Sequence, residues 1–197
     1  MTPSLAPAIV LSLAPAIVLG GGLVWAAVVS WSVVVSDVRR RVIPNRVMAP
    51  ALIAVPVLFT VAVGLSAWQS REMSGTLPQH GVLPLHVGAL WSGLLGGVVL
   101  AVVHLGLAMV GGLGGGDVKL ALLLGIVLGF IGGWEAVWWG AMLAWSCAGV
   151  VAVVSRVPRE PDRTVGIPFA PYLVAGSWTV IVTVLVTTMS AADPAAS

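Results

Sequence analysis

Charged residues are scarce in this chain. Asp, Glu, Lys and Arg make up only 8% of its 197 residues, whereas Ala, Val, Ile, Leu, Met, Phe, Trp, Tyr and Cys make up 59%. The mean hydropathy is +1.09. A typical soluble protein carries about 25% charged residues. The shortage excludes a soluble enzyme, a nucleic-acid-binding protein and a disordered tail. An integral membrane protein remains, and apolar stretches of this length predict helices rather than barrel strands.

Cysteine and histidine are also few. The single cysteine, Cys147, excludes an internal disulfide and a metal site built on paired cysteines. The three histidines, His80, His86 and His104, do not have the spacing of a zinc-binding motif. We therefore expect neither a metal ion nor a cofactor.

The apolar stretches predict an all-α, polytopic membrane protein with about six transmembrane helices in one bundle. A helix needs about 20 residues to cross the hydrocarbon core of a bilayer. The fourth stretch is shorter than that, and the others are long enough. We expect a single transmembrane domain over residues 1–197. Its predicted spans are roughly 5–36, 47–67, 88–110, 118–133, 136–155 and 168–189.

Small residues recur at every fourth position in two of these spans. Such patterns let helix backbones approach each other closely in lipid, and they predict ordinary helix packing rather than a site. The residues are Ala89, Gly93, Gly97 and Ala101 in the third span, and Ala121, Gly125, Gly129 and Gly133 in the fourth.

The basic residues predict the orientation of the chain. With six spans, all the Lys and Arg residues except Arg71 fall on one side of the membrane. Basic residues accumulate on the cytoplasmic side of membrane proteins. We therefore expect that side to face the cytoplasm, with both termini outside. The residues on that side are Arg39, Arg40, Arg41, Arg46, Lys119, Arg156, Arg159 and Arg163.

Two of the seven carboxylates stand apart from the rest. Asp37 follows the first apolar stretch and Asp117 precedes the fourth, whereas the others fall in predicted loops or in the tail. Burying a lone Asp at mid-bilayer costs about 2.5–3.5 kcal/mol, so an acid at membrane depth is a functional candidate. The glycine-rich segment 111–116 disfavours continuous helix before Asp117 and predicts an opened backbone beside a water-filled cavity.

Each acid also has a structural interpretation. Asp117 suits a helix N-cap, and Asp37 has the spacing to pair with Arg40 or Arg41. Two carboxylates on one face of the membrane nevertheless suit aspartyl hydrolysis. One carboxylate, in its ionised form, takes a proton from water. The other, in its protonated form, polarises the scissile carbonyl.

Three segments resemble motifs of the type IV prepilin peptidases, which are GxGD intramembrane aspartyl proteases. Segment 114–120, GGGDVKL, matches the signature GxGDxKL. Segment 37–45, DVRRRVIPN, resembles the first-aspartate motif, in which Ile/Leu-Pro-Asn/Asp follows an Asp. Segment 167–173, IPFAPYL, resembles the Pro-Phe-Gly-Pro segment that opens the last span. All three segments fall on the face predicted to be cytoplasmic.

The resemblance implies an activity and a site. The activity is cleavage of the basic leader of prepilin or pseudopilin precursors at the cytoplasmic face of the bacterial inner membrane. It needs no cofactor, and the expected partners are the precursor protein and the lipid bilayer, not nucleic acid. The implied site comprises a catalytic pair, Asp37 and Asp117, an active-site loop with Gly114 and Gly116, and the substrate-positioning residues Lys119, Pro168 and Pro171.

Two features depart from the family pattern. Ala170 stands where the family has Gly between two prolines. The long forms of the family carry a cytoplasmic insertion with paired CxxC motifs and also N-methylate the new amino terminus. Here only about 10 residues separate the first two predicted spans, and Cys147 stands alone. We therefore expect the short form, with peptidase activity and no methyltransferase activity.

Two other functions are compatible with the same acids. One is a small proton-coupled transporter or channel that uses the acids as a relay. The other is a catalytically silent scaffold of a secretion complex. The sequence contains no visible inverted repeat, because Asp37 ends one predicted helix whereas Asp117 begins another. The combination of three motifs favours the peptidase.

Overall fold

The computed structural model describes residues 5–72, 85–110, 114–155 and 168–191, which are helical apart from short connections. All the helices are long and apolar enough to cross a membrane. The all-α fold predicted from the sequence is confirmed, and the chain is a multi-pass membrane protein. The helices are α1 (Leu5–Arg40), α2 (Asn45–Glu72), α3 (Val87–Met109), α4 (Gly115–Ser155) and α5 (Ala170–Ala191).

The fourth and fifth predicted spans are joined in α4, which Gly133 interrupts. Its φ of 64° and ψ of −158° are not helical, and glycine adopts positive φ without the steric cost of a side chain. The chain reverses direction there. The evidence is that a Cβ on Gly140 would lie only 2.7 Å from Leu128 Cδ1. Twelve residues of continuous helix would separate these positions by about 18 Å. The described chain thus has five helical elements, and the reversal at Gly133 divides α4 into two parts that correspond to the fourth and fifth predicted spans.

Helices α3 and α4 pack by direct contact of their backbones. A Cβ on Gly97 would lie 2.8 Å from the Leu122 carbonyl oxygen, and a Cβ on Gly125 would lie 2.6 Å from the Gly96 carbonyl oxygen. In lipid, where apolar burial does not drive helices together, such close approach supplies the packing energy. The small residues at every fourth position therefore mark the closest helix pair in the described part of the chain.

The helices form two groups. Helix α5 packs on the second half of α4, where a Cβ on Gly176 would lie 2.6 Å from the Ala144 backbone nitrogen. We call α3, α4 and α5 the bundle. Helices α1 and α2 pack mainly on each other, with the Phe59 ring seated against Gly22. We call this pair the hairpin.

The boundary between hairpin and bundle, which we call the seam, is packed far less extensively than the bundle. The Phe59 ring of α2 stacks on the Phe130 ring of α4, with centroids 4.2 Å apart. Beside this stack, an apolar cavity of about 250 Å³ opens between α2, α3 and α4. The opposite end of the seam adjoins the connection between α1 and α2.

The outer surface of the chain is apolar. Trp31 is 69% exposed and Trp91 is 62% exposed. Such exposure is unfavourable in water, but it is compatible with contact with lipid tails. Arg71 lies at the far end of α2 from Arg46. Three basic residues used in the orientation prediction, at positions 156, 159 and 163, lie outside the described residues.

Candidate active site

Asp37 lies in the last turn of α1. The helix ends where Arg41 adopts a left-handed conformation, with φ of 53°. The Arg41 backbone N–H still donates to the Asp37 carbonyl oxygen at 2.9 Å. The Ser36 hydroxyl donates to the Val42 carbonyl oxygen at 2.6 Å and holds the chain as it leaves the helix. This local geometry leaves the Asp37 side chain buried, with only 8% of its surface exposed.

The two oxygens of the Asp37 carboxylate have different surroundings. The Ala170 backbone N–H, at the start of α5, lies within hydrogen-bonding reach of the carboxylate, and the Arg41 guanidinium attracts it electrostatically. The Oδ2 atom is buried and has no hydrogen-bond partner among the described residues. A buried polar atom without a partner is costly. This oxygen is therefore free to bind a water molecule or a substrate.

Asp117 lies in the first turn of α4 and helps that helix to begin. Its backbone N–H donates to the Gly114 carbonyl oxygen at 3.0 Å. In return the Gly114 N–H donates to Asp117 Oδ2 at 3.2 Å. An acid at the third helical position that reaches back in this way satisfies a backbone donor at the helix start. The prediction that Asp117 is the helix N-cap is therefore wrong, because Asp117 is the third residue of α4 and its carboxylate reaches back to the residue before the helix.

This structural role occupies only one oxygen of the Asp117 carboxylate. The Oδ1 atom is buried and has no hydrogen-bond partner in the described ranges, and the whole side chain is 8% exposed. The Asp37 and Asp117 carboxylates lie close enough to repel each other electrostatically. The fold thus brings together two buried acids that are far apart in the sequence, one from the hairpin and one from the bundle.

Gly116 allows the two groups to meet beside the acids. A Cβ at this position would lie 2.7 Å from Ile43 Cβ and 2.9 Å from Ile43 Cδ1. No side chain fits in that space without displacing the connection between α1 and α2. Gly114 has no comparable steric requirement, because its Cβ would make an ordinary 3.7 Å contact with Asp117 Oδ2. The contribution of Gly114 is its backbone N–H.

Lys119 joins the same two groups. Its Nζ donates to Asn45 Oδ1 at 2.6 Å, and both side chains are at the exposed surface. Asn45 begins α2, eight residues after Asp37, and no sequence pattern predicted a role for it. The sequence feature that could have pointed to Asn45 is its place as the last residue of the motif in segment 37–45. Sequence spacing alone could not show that its partner is Lys119.

Comparison with known proteins indicates the family to which a chain with this arrangement belongs. A family model described as the type IV leader peptidase family matches residues 23–154, which is more than half of the chain. The chain belongs to the type IV leader peptidase family. This membrane-embedded leader peptidase is therefore a hydrolase whose substrates are of the prepilin type. The comparison with curated proteins and the comparison with solved structures gave no match.

The matched range of the leader peptidase includes both acids, Gly114, Gly116 and Lys119, but ends before the segment that opens α5. Pro168 precedes α5, and Pro171 lies in its first turn, where a missing backbone N–H removes no hydrogen bond. Ala170 is fully buried. This segment therefore reaches the site through the Ala170 backbone N–H near Asp37.

His104 lies behind the segment that opens α5. Its side chain is fully buried, and its Nδ1 is 2.7 Å from the Leu100 carbonyl oxygen of its own helix. The ring packs against Phe169 and Trp145, with centroid distances of 5.6 Å and 5.7 Å. Among the described residues, no three His, Cys, Asp or Glu side chains are grouped so as to hold a metal ion.

Proposed function

We propose that this leader peptidase is an aspartic endopeptidase in which Asp37 and Asp117 activate one water molecule. The observation that carries the proposal is the pair of buried carboxylates, which repel each other and each keep one oxygen without a hydrogen-bond partner in the described part of the chain. Two such groups share a proton, because carboxylates close together do not both ionise readily. One ionised and one protonated carboxyl group are what this hydrolysis requires.

The proposed reaction is a direct attack of water on the peptide bond. The ionised carboxylate takes a proton from water as the water oxygen bonds to the carbonyl carbon, and the protonated carboxyl group gives its proton to the carbonyl oxygen. The tetrahedral intermediate then returns a proton to one carboxylate, and the other carboxyl group protonates the leaving nitrogen as the C–N bond breaks. The pair ends with one proton, as it began.

The proposed substrate is the leader of a prepilin or pseudopilin precursor, cleaved at the cytoplasmic face of a bacterial inner membrane. Arg39, Arg40, Arg41 and Arg46 flank the turn between α1 and α2, next to Asp37. A concentration of basic residues is typical of the cytoplasmic ends of spans. The orientation that follows places the site where a precursor's leader meets the membrane.

The remaining residues of the proposed site have supporting roles. Gly114 and Gly116 shape the loop that presents Asp117. Pro168 and Pro171 fix the start of α5 against Asp37 and thereby help to position the substrate. The Lys119 ammonium group is held by Asn45, so we assign Lys119 to the geometry of the site. We further propose that the chain acts as one peptidase domain over residues 1–197, without methyltransferase activity.

Conversion of a co-expressed precursor tests this proposal. The precursor carries a basic leader before an apolar helix, and cleavage is followed by gel shift and by the mass of the product. We expect cleavage by the native chain and at least a thousandfold loss in both Asp37→Asn and Asp117→Asn, as for other catalytic groups that act as a unit. Glu135→Gln, which alters an exposed carboxylate in α4, is the matched control and should cleave normally. Unimpaired cleavage in either Asp variant would refute the proposal.

A further inference from the structure

The two acids of the proposed site belong to different groups of helices. Asp37 is carried by the hairpin and Asp117 by the bundle, and the seam between these groups is packed far less extensively than the bundle. Contacts within one group of helices therefore do not fix the distance between the two carboxylates. This distance depends on contacts that cross the seam at the end where the acids lie.

Two such contacts lie next to each other. Ile43 packs on Gly116, which precedes Asp117. Asn45 accepts a hydrogen bond of 2.6 Å from Lys119, which follows Asp117 by two residues. The apolar contact limits how closely the groups approach, because the Ile43 side chain fills the space beside Gly116. The hydrogen bond opposes their separation.

The Asn45–Lys119 bond is suited to this role by its chemistry. Its donor is an ammonium group, and hydrogen bonds with a charged partner are about twice as strong as neutral ones. Each partner stands at the start of a helix, Asn45 as the first residue of α2 and Lys119 in the second turn of α4. A displacement of either helix start would therefore break the bond and move the adjacent acid.

We propose that Asn45 and Lys119 are a positioning pair that sets the separation of the two carboxylates. The proposal rests on the proposed function, since it assigns the pair a part in that reaction. Neither residue takes or gives a proton. The pair stabilises the arrangement in which both carboxylates reach the same water molecule, and its loss lowers the rate of the chemical step rather than the affinity for the precursor.

Kinetics of the purified full chain test the pair. We expect Lys119→Met and Asn45→Leu each to lower kcat about tenfold, which is the effect of losing one charge-assisted hydrogen bond, while KM changes less than twofold. The double variant should be no slower than the single ones, because one bond is lost in all three. Lys119→Gln keeps a donor and should recover at least a third of the native kcat. Arg46→Met is the control for loss of a nearby charge, and it should leave kcat unchanged.

A distance measurement separates this proposal from the proposed function. Spin labels are attached to cysteines placed at Arg40 and Gly115, which are exposed beside the two acids, in a Cys147→Ser background. We expect one narrow distance distribution in the otherwise native chain and in Arg46→Met, and a broader, longer one in Lys119→Met and Asn45→Leu. Lys119→Gln, which keeps a donor, should retain the narrow distribution, and Asn45→Leu supplies the readout of the broken bond if Lys119→Met does not fold.

The outcomes are distinguishable. The positioning role would be overturned by an unchanged distance distribution in both Lys119→Met and Asn45→Leu, or by an unchanged kcat in these variants. Additive losses in the double variant, or a rise in KM without a fall in kcat, would also overturn it. Cleavage that survives Asp37→Asn or Asp117→Asn refutes the proposed function instead. In that case the distance measurement alone decides whether the pair holds the two groups together.

Discussion

Two helix interfaces of this leader peptidase, the one between α3 and α4 and the seam, are built in opposite ways. Between α3 and α4, glycine backbones touch, so that even a methyl group has no room on Gly125. Across the seam, the contacts include a ring stack at one end and, at the other, Ile43 on Gly116, the Lys119–Asn45 hydrogen bond and the Ala170 backbone N–H near Asp37. The first interface is rigid, because backbones cannot move aside cheaply. The second permits adjustment, and the proposed catalytic pair lies across it.

The largest expected effect comes from an added methyl group in the rigid interface. In Gly129→Ala the new Cβ would overlap the Ser92 carbonyl oxygen and the Gly93 Cα, and we expect a loss of about 3 kcal/mol in the free energy of unfolding. The measurement is denaturant unfolding in detergent. Gly149→Ala, whose Cβ meets nothing within 4 Å, is the control and should be at least as stable as the native chain. Equal stability of the two variants would refute the contrast between the interfaces.

An added methyl group in the seam should act on catalysis more than on stability. In Gly116→Ala the new Cβ meets Ile43 and pushes the hairpin from the bundle, so we expect kcat to fall about tenfold or more, as for other displaced active sites. Gly115→Ala, whose Cβ meets nothing within 4 Å, is the matched control in the adjacent position. Its kcat should stay within twofold of the native value. If both alanine variants cleave alike, the contact with Ile43 does not position the acids.

The smallest expected effect concerns the far end of the seam. Phe59→Leu removes the stack on Phe130, and we expect a loss of about 1 kcal/mol in the free energy of unfolding. Phe59 lies about 21 Å along α2 from Asn45, so kcat should change less than twofold. Thermal unfolding and cleavage of the precursor are measured on the same preparation. A large loss of kcat would show that the whole length of the seam positions the acids.

The sequence predicted the features that depend on local pattern. Long apolar stretches predicted the helices, and the spacing of small residues predicted the close approach that Gly97 and Gly125 make. The two acids stood out because they adjoin apolar stretches. A break between residues 133 and 136 was predicted from the span boundaries, but the sequence did not show that Gly133 alone makes the reversal. Only the backbone angles of Gly133 show this.

Contacts between distant segments could not be predicted from the sequence. The contact of Ile43 with Gly116 and the bond from Lys119 to Asn45 depend on how the hairpin meets the bundle. Neither has a periodic signal, since each involves a single pair of residues. Lys119 was assigned to substrate positioning by resemblance alone. Its contact with Asn45 instead motivates a role in holding the two acids in place.

The most direct test of the central claim, that Asp37 and Asp117 act on one water molecule as a pair, is the pH dependence of kcat/KM for the reconstituted full chain. The precursor used should carry no titratable side chain beside the scissile bond. Because one carboxyl group must be ionised and the other protonated, we predict a bell-shaped profile that falls at both low and high pH. A rate that rises with pH to a plateau, with no fall on the alkaline side, would mean that a single ionised group suffices and would contradict the account.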